Sequence, residues 1–157
     1  MTSIDILTTV KIVKYDELSV EECRLVDAAR KACHRAYAPY SEFAVGAAIS
    51  LSNGEVVTGS NQENVAYPSG MCAERVACFY AHSQYPEAKF NAIAIAASNS
   101  NGQELQLPIS PCGSCRQVLL EYEILAGNDI KIILVGEKEI YILPSVKSLL
   151  PLAFSKF

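Results

Sequence analysis

Long apolar runs are missing from the sequence. Nothing in it approaches the about 20 consecutive apolar residues that a bilayer-spanning helix needs, which excludes a helical membrane protein. Also missing is a basic N-terminal segment followed by an apolar run; without a secretory signal the chain is expected in the reducing cytoplasm. There is no excess of cations either. Lys and Arg number 13 against 17 Asp and Glu, and the net charge is −4. A surface that holds phosphate backbones needs clustered Lys and Arg, so neither nucleic acid nor a membrane is expected as partner. The scattered Arg30, Lys31 and Arg35 read as a solvated helix face. Repeats, low-complexity tracts and long linkers are absent, so the 157 residues fit one domain. With half of them hydrophobic and a slightly positive mean hydropathy, they can bury one ordinary core.

What is present has a clear order. Residues 1–18 show no strong period and stand as an N-terminal extension, at most a short strand and a lead-in; the domain proper is expected over 19–157. Ser19 with Glu22 forms a capping box, and Leu25, Ala29, Ala32, Cys33 and Ala36 follow at helical spacing. Pro39 predicts that this helix stops near Ala38. Phe43 to Leu51 and Glu55 to Gly59 read as strands. Asn53-Gly54 between them predicts a hairpin through a type I′ turn. A second helix is expected from about Cys72 to Gln84, a buried strand from Phe90 to Ala97, and a third helix from about Cys112 to Ala126, stopped by Gly127. Ile130 to Val135 and Glu139 to Leu143 are the last strands. The order predicts an α/β fold, a three-layer α/β/α sandwich around a five-stranded mixed sheet.

Six cysteines in a reducing compartment point to metal ligands or buried thiols rather than disulfides. Cys33 and Cys78 fall inside helices and read as core packing. Cys72, Cys112 and Cys115 each fall where a helix starts, and the positive end of a helix favours thiolate, the species that binds metal. Three protein ligands is the number for a catalytic zinc, which keeps one position open, whereas a structural zinc takes four. Glu74 then supplies a proton carrier beside the open position, provided the helix points end-on at the ion. Three thiolates on Zn²⁺ sum to a formal −1, and Arg75 and Arg116 are placed to offset it by donating to the sulfurs. Cys112-x-x-Cys115 alone also fits a redox pair or half of a structural zinc site. Combined with Cys72-Ala73-Glu74 it matches the (His/Cys)-x-Glu … Pro-Cys-x-x-Cys pattern of zinc nucleobase deaminases.

At these residues the chain resembles the small cytidine deaminases of nucleoside salvage. Pro39-Tyr40-Ser41-Glu42-Phe43-Ala44-Val45-Gly46-Ala47-Ala48, Asn61-Gln62-Glu63-Asn64 and Leu149-Leu150-Pro151-Leu152-Ala153-Phe154 are similar to further motifs of that family. The resemblance implies one Zn²⁺ per subunit held by Cys72, Cys112 and Cys115, with Glu74 as the catalytic acid and base. It implies that Asn61 and Glu63 hold the ribose hydroxyls, that Phe43 stacks near the base, and that the Ala73 backbone meets the pyrimidine carbonyl. It further implies a homotetramer with shared sites, Tyr67 and Phe154 reaching into a neighbour, and conversion of cytidine and deoxycytidine to uridine and deoxyuridine. An antibiotic deaminase of the blasticidin S kind, a nucleic-acid editing enzyme and a structural zinc or redox module are the competing readings. The sugar-binding motif, the acidic balance and the three-ligand count respectively weigh against them.

Overall fold

The computed structural model describes residues 1–155; the last two positions of the expected domain lie outside them. Nine elements follow in order: β1 (Lys11–Val13), α1 (Val20–Cys33), β2 (Ala44–Leu51), β3 (Val56–Ser60), α2 (Ala73–Gln84), β4 (Phe90–Ser98), α3 (Gly113–Ala126), β5 (Lys131–Val135) and β6 (Ile140–Leu143). Together with short 3-10 turns they build one mixed sheet, in the order β1-β6-β5-β4-β2-β3. Only β4 and β5 run parallel.

The layers follow from the two-residue period of the strands. Ala47 and Ile49 on β2, Ile93 and Ile95 on β4, and Ile132 and Leu134 on β5 face a core shared with Ala77 and Cys78 of α2 and Leu119 and Leu120 of α3. The alternate positions Ala48, Ala94, Ala96, Ile133 and Val135 face Leu25, Val26, Ala29 and Cys33 of α1. The three-layer α/β/α sandwich is therefore as expected.

The helices lie close to the sheet because two strand positions have no side chain. A Cβ on Gly46 would collide with the Ala29 carbonyl of α1, and one on Gly59 would stand 2.5 Å from both Ala73 O and Ala77 N of α2. Since these obstacles are backbone, they cannot step aside. Gly59→Ala is expected to cost about 1–3 kcal/mol by overpacking, seen as a lower midpoint of urea unfolding at unchanged slope. It acts on the first turn of α2, whose N-cap is Cys72.

Four expectations need correction. The sheet has six strands, not five, because Lys11–Val13 pairs antiparallel with Ile140–Ile142 at the edge. This strand is short and mostly solvent-facing, so it leaves no hydrophobic alternation to read. α1 ends at Cys33 rather than near Ala38, since Tyr37 N–H is drawn away to donate to Asn61 O at 2.9 Å. The β2–β3 turn sits at Asn53-Gly54 but is not type I′, which needs positive φ at both residues. Only Gly54 is left-handed, at φ 87. Leu51 O accepts from Gly54 N and Leu51 N donates to Glu55 O, the three-residue loop with a glycine bulge. The fourth concerns Arg116, at the site itself.

Candidate metal centre and active site

Two helix starts converge, those of α2 and α3. Cys72 is the N-cap of α2 and Cys112 the N-cap of α3, both in extended conformation and neither using its side chain to cap. Cys115 lies in the first turn of α3. Their sulfurs gather: Cys72 Sγ is 3.9 Å from Cys112 Sγ, which is 3.5 Å from Cys115 Sγ, and all three lie within 4.8 Å of one another. Tetrahedral zinc with Zn–S bonds of about 2.3 Å sets its sulfurs about 3.8 Å apart, so the cluster fits one ion. Cys115 is buried, Cys72 half-buried and Cys112 exposed. The fourth corner is not supplied by Cys78, which lies fully buried in the core between α2 and the sheet.

The thiols differ in acidity. Its hydrogen bond with Cys115, and then the Arg75 guanidinium, hold the Cys72 thiol down to about 5 against the cost of burial. Cys115 is pushed upward by that same bond and by burial. Arg75 Nη2 donates to Cys72 Sγ at 3.5 Å, and Arg75 Nε is buried with no acceptor among the described residues. Arg116 does not share that role. Its Nε donates to Pro111 O at 2.8 Å and its Nη1 to Leu149 O at 3.1 Å. It braces the loop leading into Cys112 instead of touching a sulfur, because the carbonyls of Pro111 and Leu149 take up its N–H groups.

Glu74 stands in the first turn of α2, only 4 % exposed. Burial pushes its carboxyl above the usual carboxylate range, and the nearby Cys72 adds to this, while a hydrogen bond with Cys115 pulls the other way. The end-on placement of α2 therefore brings Glu74 and the thiols to one point.

A cavity of about 460 Å³ opens beside Cys72 and Arg75, walled also by Tyr40, Asn61, Glu63 and Tyr67. The 61–64 loop is tied to the residue before the ligand by Gln62 N–Met71 O and Met71 N–Gln62 O, both 2.8 Å. Asn61 Oδ1 accepts from Val45 N at 2.7 Å and its Nδ2 donates to Phe43 O at 2.9 Å. Glu63 accepts from Tyr40 N at 2.9 Å, from Ser41 N at 3.2 Å and from the Ser41 hydroxyl. The Ser41 hydroxyl, then the Tyr40 N–H, hold the Glu63 carboxyl below its ordinary range. Ser41 was not singled out as a site residue, although its place in the Pro39–Phe43 motif marked it. Next to it Glu42 adopts a left-handed φ of 54, a conformation that a non-glycine residue takes at some cost. Phe43 is half-buried against the core, and Ala73 is fully buried at the first position of α2. Tyr67 packs edge-on against Tyr40 at 6.1 Å and is 77 % exposed; Phe154 is 64 % exposed. Asn61, Glu63 and Tyr67 are thus brought to the cavity beside Cys72, while Phe154 lies on the outer surface of this chain.

An α/β/α sandwich that gathers three sulfurs at the spacing one ion requires and buries a carboxyl in the same helix turn has the parts of a metal-dependent hydrolase. Residues 19–126 match the family described as the cytidine and deoxycytidylate deaminase zinc-binding region. A cytidine deaminase of Sporosarcina psychrophila is 39% identical over 133 residues, covering 85% of this chain and 90% of the relative. One from Mycobacterium tuberculosis is 41% identical over 106 residues, 66% of this chain and 74% of the relative. Among solved structures, the cytidine deaminase of Burkholderia pseudomallei superposes with a TM-score of 0.72 at 36% identity, covering 87% of this chain and 100% of that one. The Mycobacterium tuberculosis enzyme gives 0.66 at 36% identity, covering 88% and 100%. The chain belongs to the cytidine deaminase family, whose matched region is a zinc-binding one, and the cluster of Cys72, Cys112 and Cys115 fits a single zinc.

Proposed function

We propose that this chain hydrolyses cytidine and deoxycytidine to uridine, deoxyuridine and ammonia, within the salvage of pyrimidine nucleosides. The observation that carries the reading is the meeting of three clustered sulfurs, a buried carboxyl and a nucleoside-sized cavity bearing Asn61 and Glu63 at one pair of helix ends. Zinc, when bound, lowers the pKa of a water to about 7 and so supplies the attacking oxygen at neutral pH.

The chain's own groups handle the protons. Glu74 takes a proton from the attacking water and gives it to N3 of the pyrimidine as the C4–O bond forms. It then takes the proton of the new C4 hydroxyl and hands it to the exocyclic nitrogen. The C4–N bond breaks, ammonia leaves and the C4 carbonyl remains. A carboxyl raised by burial suits a group that must both accept and donate near neutrality. Arg75 offsets the excess negative charge of the sulfurs.

Asn61 and Glu63 hold the sugar hydroxyls; without substrate their polar atoms rest on the backbone of the Tyr40–Val45 segment. Phe43 and the Ala73 backbone receive the base. Ordinary Asn–Glu chemistry suits a diol and repels a phosphate, which favours the free nucleoside over the nucleotide. Glu63→Ala is expected to raise KM for cytidine about 10–100-fold, the worth of charge-assisted hydrogen bonds, with a much smaller effect on kcat. An unchanged KM in steady-state kinetics would remove Glu63 from sugar binding.

The assembly we favour is a homotetramer in which Tyr67 and Phe154 enter a neighbour's site. Their exposure supports it, as does that of Phe79 and Tyr80 on α2 and Ile124 and Leu125 on α3. Residues 1–18 form an extension to the catalytic unit, fastened by β1 and by Thr8 Oγ1 donating to Ser148 O at 3.1 Å. Six unpaired cysteines suit a reducing cytoplasm, no helix among the described residues is long and apolar enough to cross a membrane, and the net charge of −4 disfavours nucleic acid as substrate.

A further inference from the structure

Helix α3 does more than present Cys112 and Cys115. Seven residues beyond Arg116, and therefore on the same face, Glu123 is only 2 % exposed. Its Oε2 accepts from Val146 N at 2.7 Å and from Ile130 N at 2.9 Å, and its Oε1 accepts from Lys147 N at 3.3 Å. Lys147 Nζ stands 3.9 Å away, largely in solvent. A carboxylate taken out of water at this depth costs several kcal/mol unless its oxygens are filled, and here backbone N–H groups fill them. Two of those three donors open the 3-10 turn Val146–Leu149, from which the C-terminal segment departs.

The same helix grips that segment twice more, each time by a backbone carbonyl. Arg116 Nη1 donates to Leu149 O, and Gln117 Nε2 donates to Phe154 O at 2.9 Å. Three side chains of one helix therefore fix residues 146–154 at their beginning, middle and end. Because they hold main chain, they fix its position whatever side chains it carries. The helix that carries Cys112 and Cys115 is therefore also the frame on which the tail is mounted.

We propose that Gln117 and Glu123 are positioning residues for the reaction: through α3 they hold the C-terminal segment so that Phe154 is presented at a fixed place for entry into the neighbouring subunit's substrate site. The inference rests on the deaminase reading and the homotetramer proposed with it for the role of Phe154. It assigns to these two residues a task that a simple structural carboxylate and a surface glutamine would not have.

The test compares kinetics with exchange. Gln117 is half-buried at the surface, so its variants keep the fold. Gln117→Ala should raise KM for cytidine about fivefold, the value of one hydrogen bond of about 1 kcal/mol, with kcat and zinc content unchanged. Gln117→Lys, which retains an N–H donor of sufficient reach, should restore KM. Since Gln117 acts through Phe154, the double variant Gln117→Ala with Phe154→Ala should be no worse than Phe154→Ala alone. In Glu123→Gln, the amides of Val146 and Lys147 should exchange faster while that of Ile95 in the sheet keeps its protection. An unchanged KM in Gln117→Ala, or fully additive losses in the double variant, overturns the proposal. If wild-type protein leaves cytidine untouched, it is the deaminase reading that fails. Exchange then decides alone, and slow Val146 and Lys147 amides in Glu123→Gln overturn the anchoring.

Discussion

Glu74→Gln should lower kcat for cytidine by at least about 10²–10⁴-fold, the range that a positioned proton carrier contributes, while the protein keeps one zinc per chain. The amide has nearly the volume of the carboxyl, so the first turn of α2 and its N-cap Cys72 stay in place. What is lost is the ability to take up and release a proton, and every proton transfer of the proposed mechanism passes through this one group. Stability should move in the opposite direction. Burial raises the Glu74 carboxyl above its unfolded value. A group shifted that way is most compatible with folding below its unfolded pKa, and the compatibility is lost as pH climbs through the folded pKa. Metal-free Glu74→Gln should therefore melt higher than metal-free wild type at neutral pH, with the gap closing in acid. Calorimetry across pH with a parallel cytidine assay checks both halves. Equal turnover by the two proteins would sink the mechanism, and equal melting at all pH values would show that the carboxyl is not strained by burial.

How far the sequence reached depended on whether a feature is written in neighbouring residues. The capping box of Ser19 and Glu22, the left-handed stop at Gly127 and the alternation along β2, β4 and β5 are local, and the fold obeys them. The metal cluster was legible for the same reason. Cys72 and Cys112 announce themselves as helix caps, and two caps can meet once a parallel β4–β5 pair brings their helices side by side. Features decided between distant segments were not legible. The end of α1 was set by Tyr37 pairing across to Asn61, beyond anything in the helix itself. β1 exists because β6 offers it an edge. Arg116 looked like a partner for the sulfurs by proximity in sequence, yet the carbonyls of Pro111 and Leu149 claimed it. Nothing in the residues around Glu123 marks it as buried. Its burial becomes visible only when the 146–149 turn folds back over it.

Cys115→Ser should release the zinc and remove all measurable activity. Three ligands leave nothing spare: with one gone, two sulfurs and solvent must hold the ion. The hydroxyl cannot replace the thiolate, being neither soft nor ionised at neutral pH. The loss of affinity should exceed the about 10–100-fold that removal of an outer hydrogen-bond partner costs. Zinc binding to the folded chain raises its melting temperature by mass action, so added zinc should lift the wild type after chelation and leave Cys115→Ser where it was. Cys78→Ser supplies the contrast. That thiol is equally buried, but it faces the core between α2 and the sheet. A hydroxyl there without a partner costs about 1–3 kcal/mol of stability. Cys78→Ser should nonetheless bind one zinc and deaminate at the wild-type rate below its lowered melting point. If instead both variants keep their zinc, or both lose it, the assignment of Cys72, Cys112 and Cys115 as the complete protein ligand set is wrong. Metal analysis of the two proteins purified side by side is enough to tell.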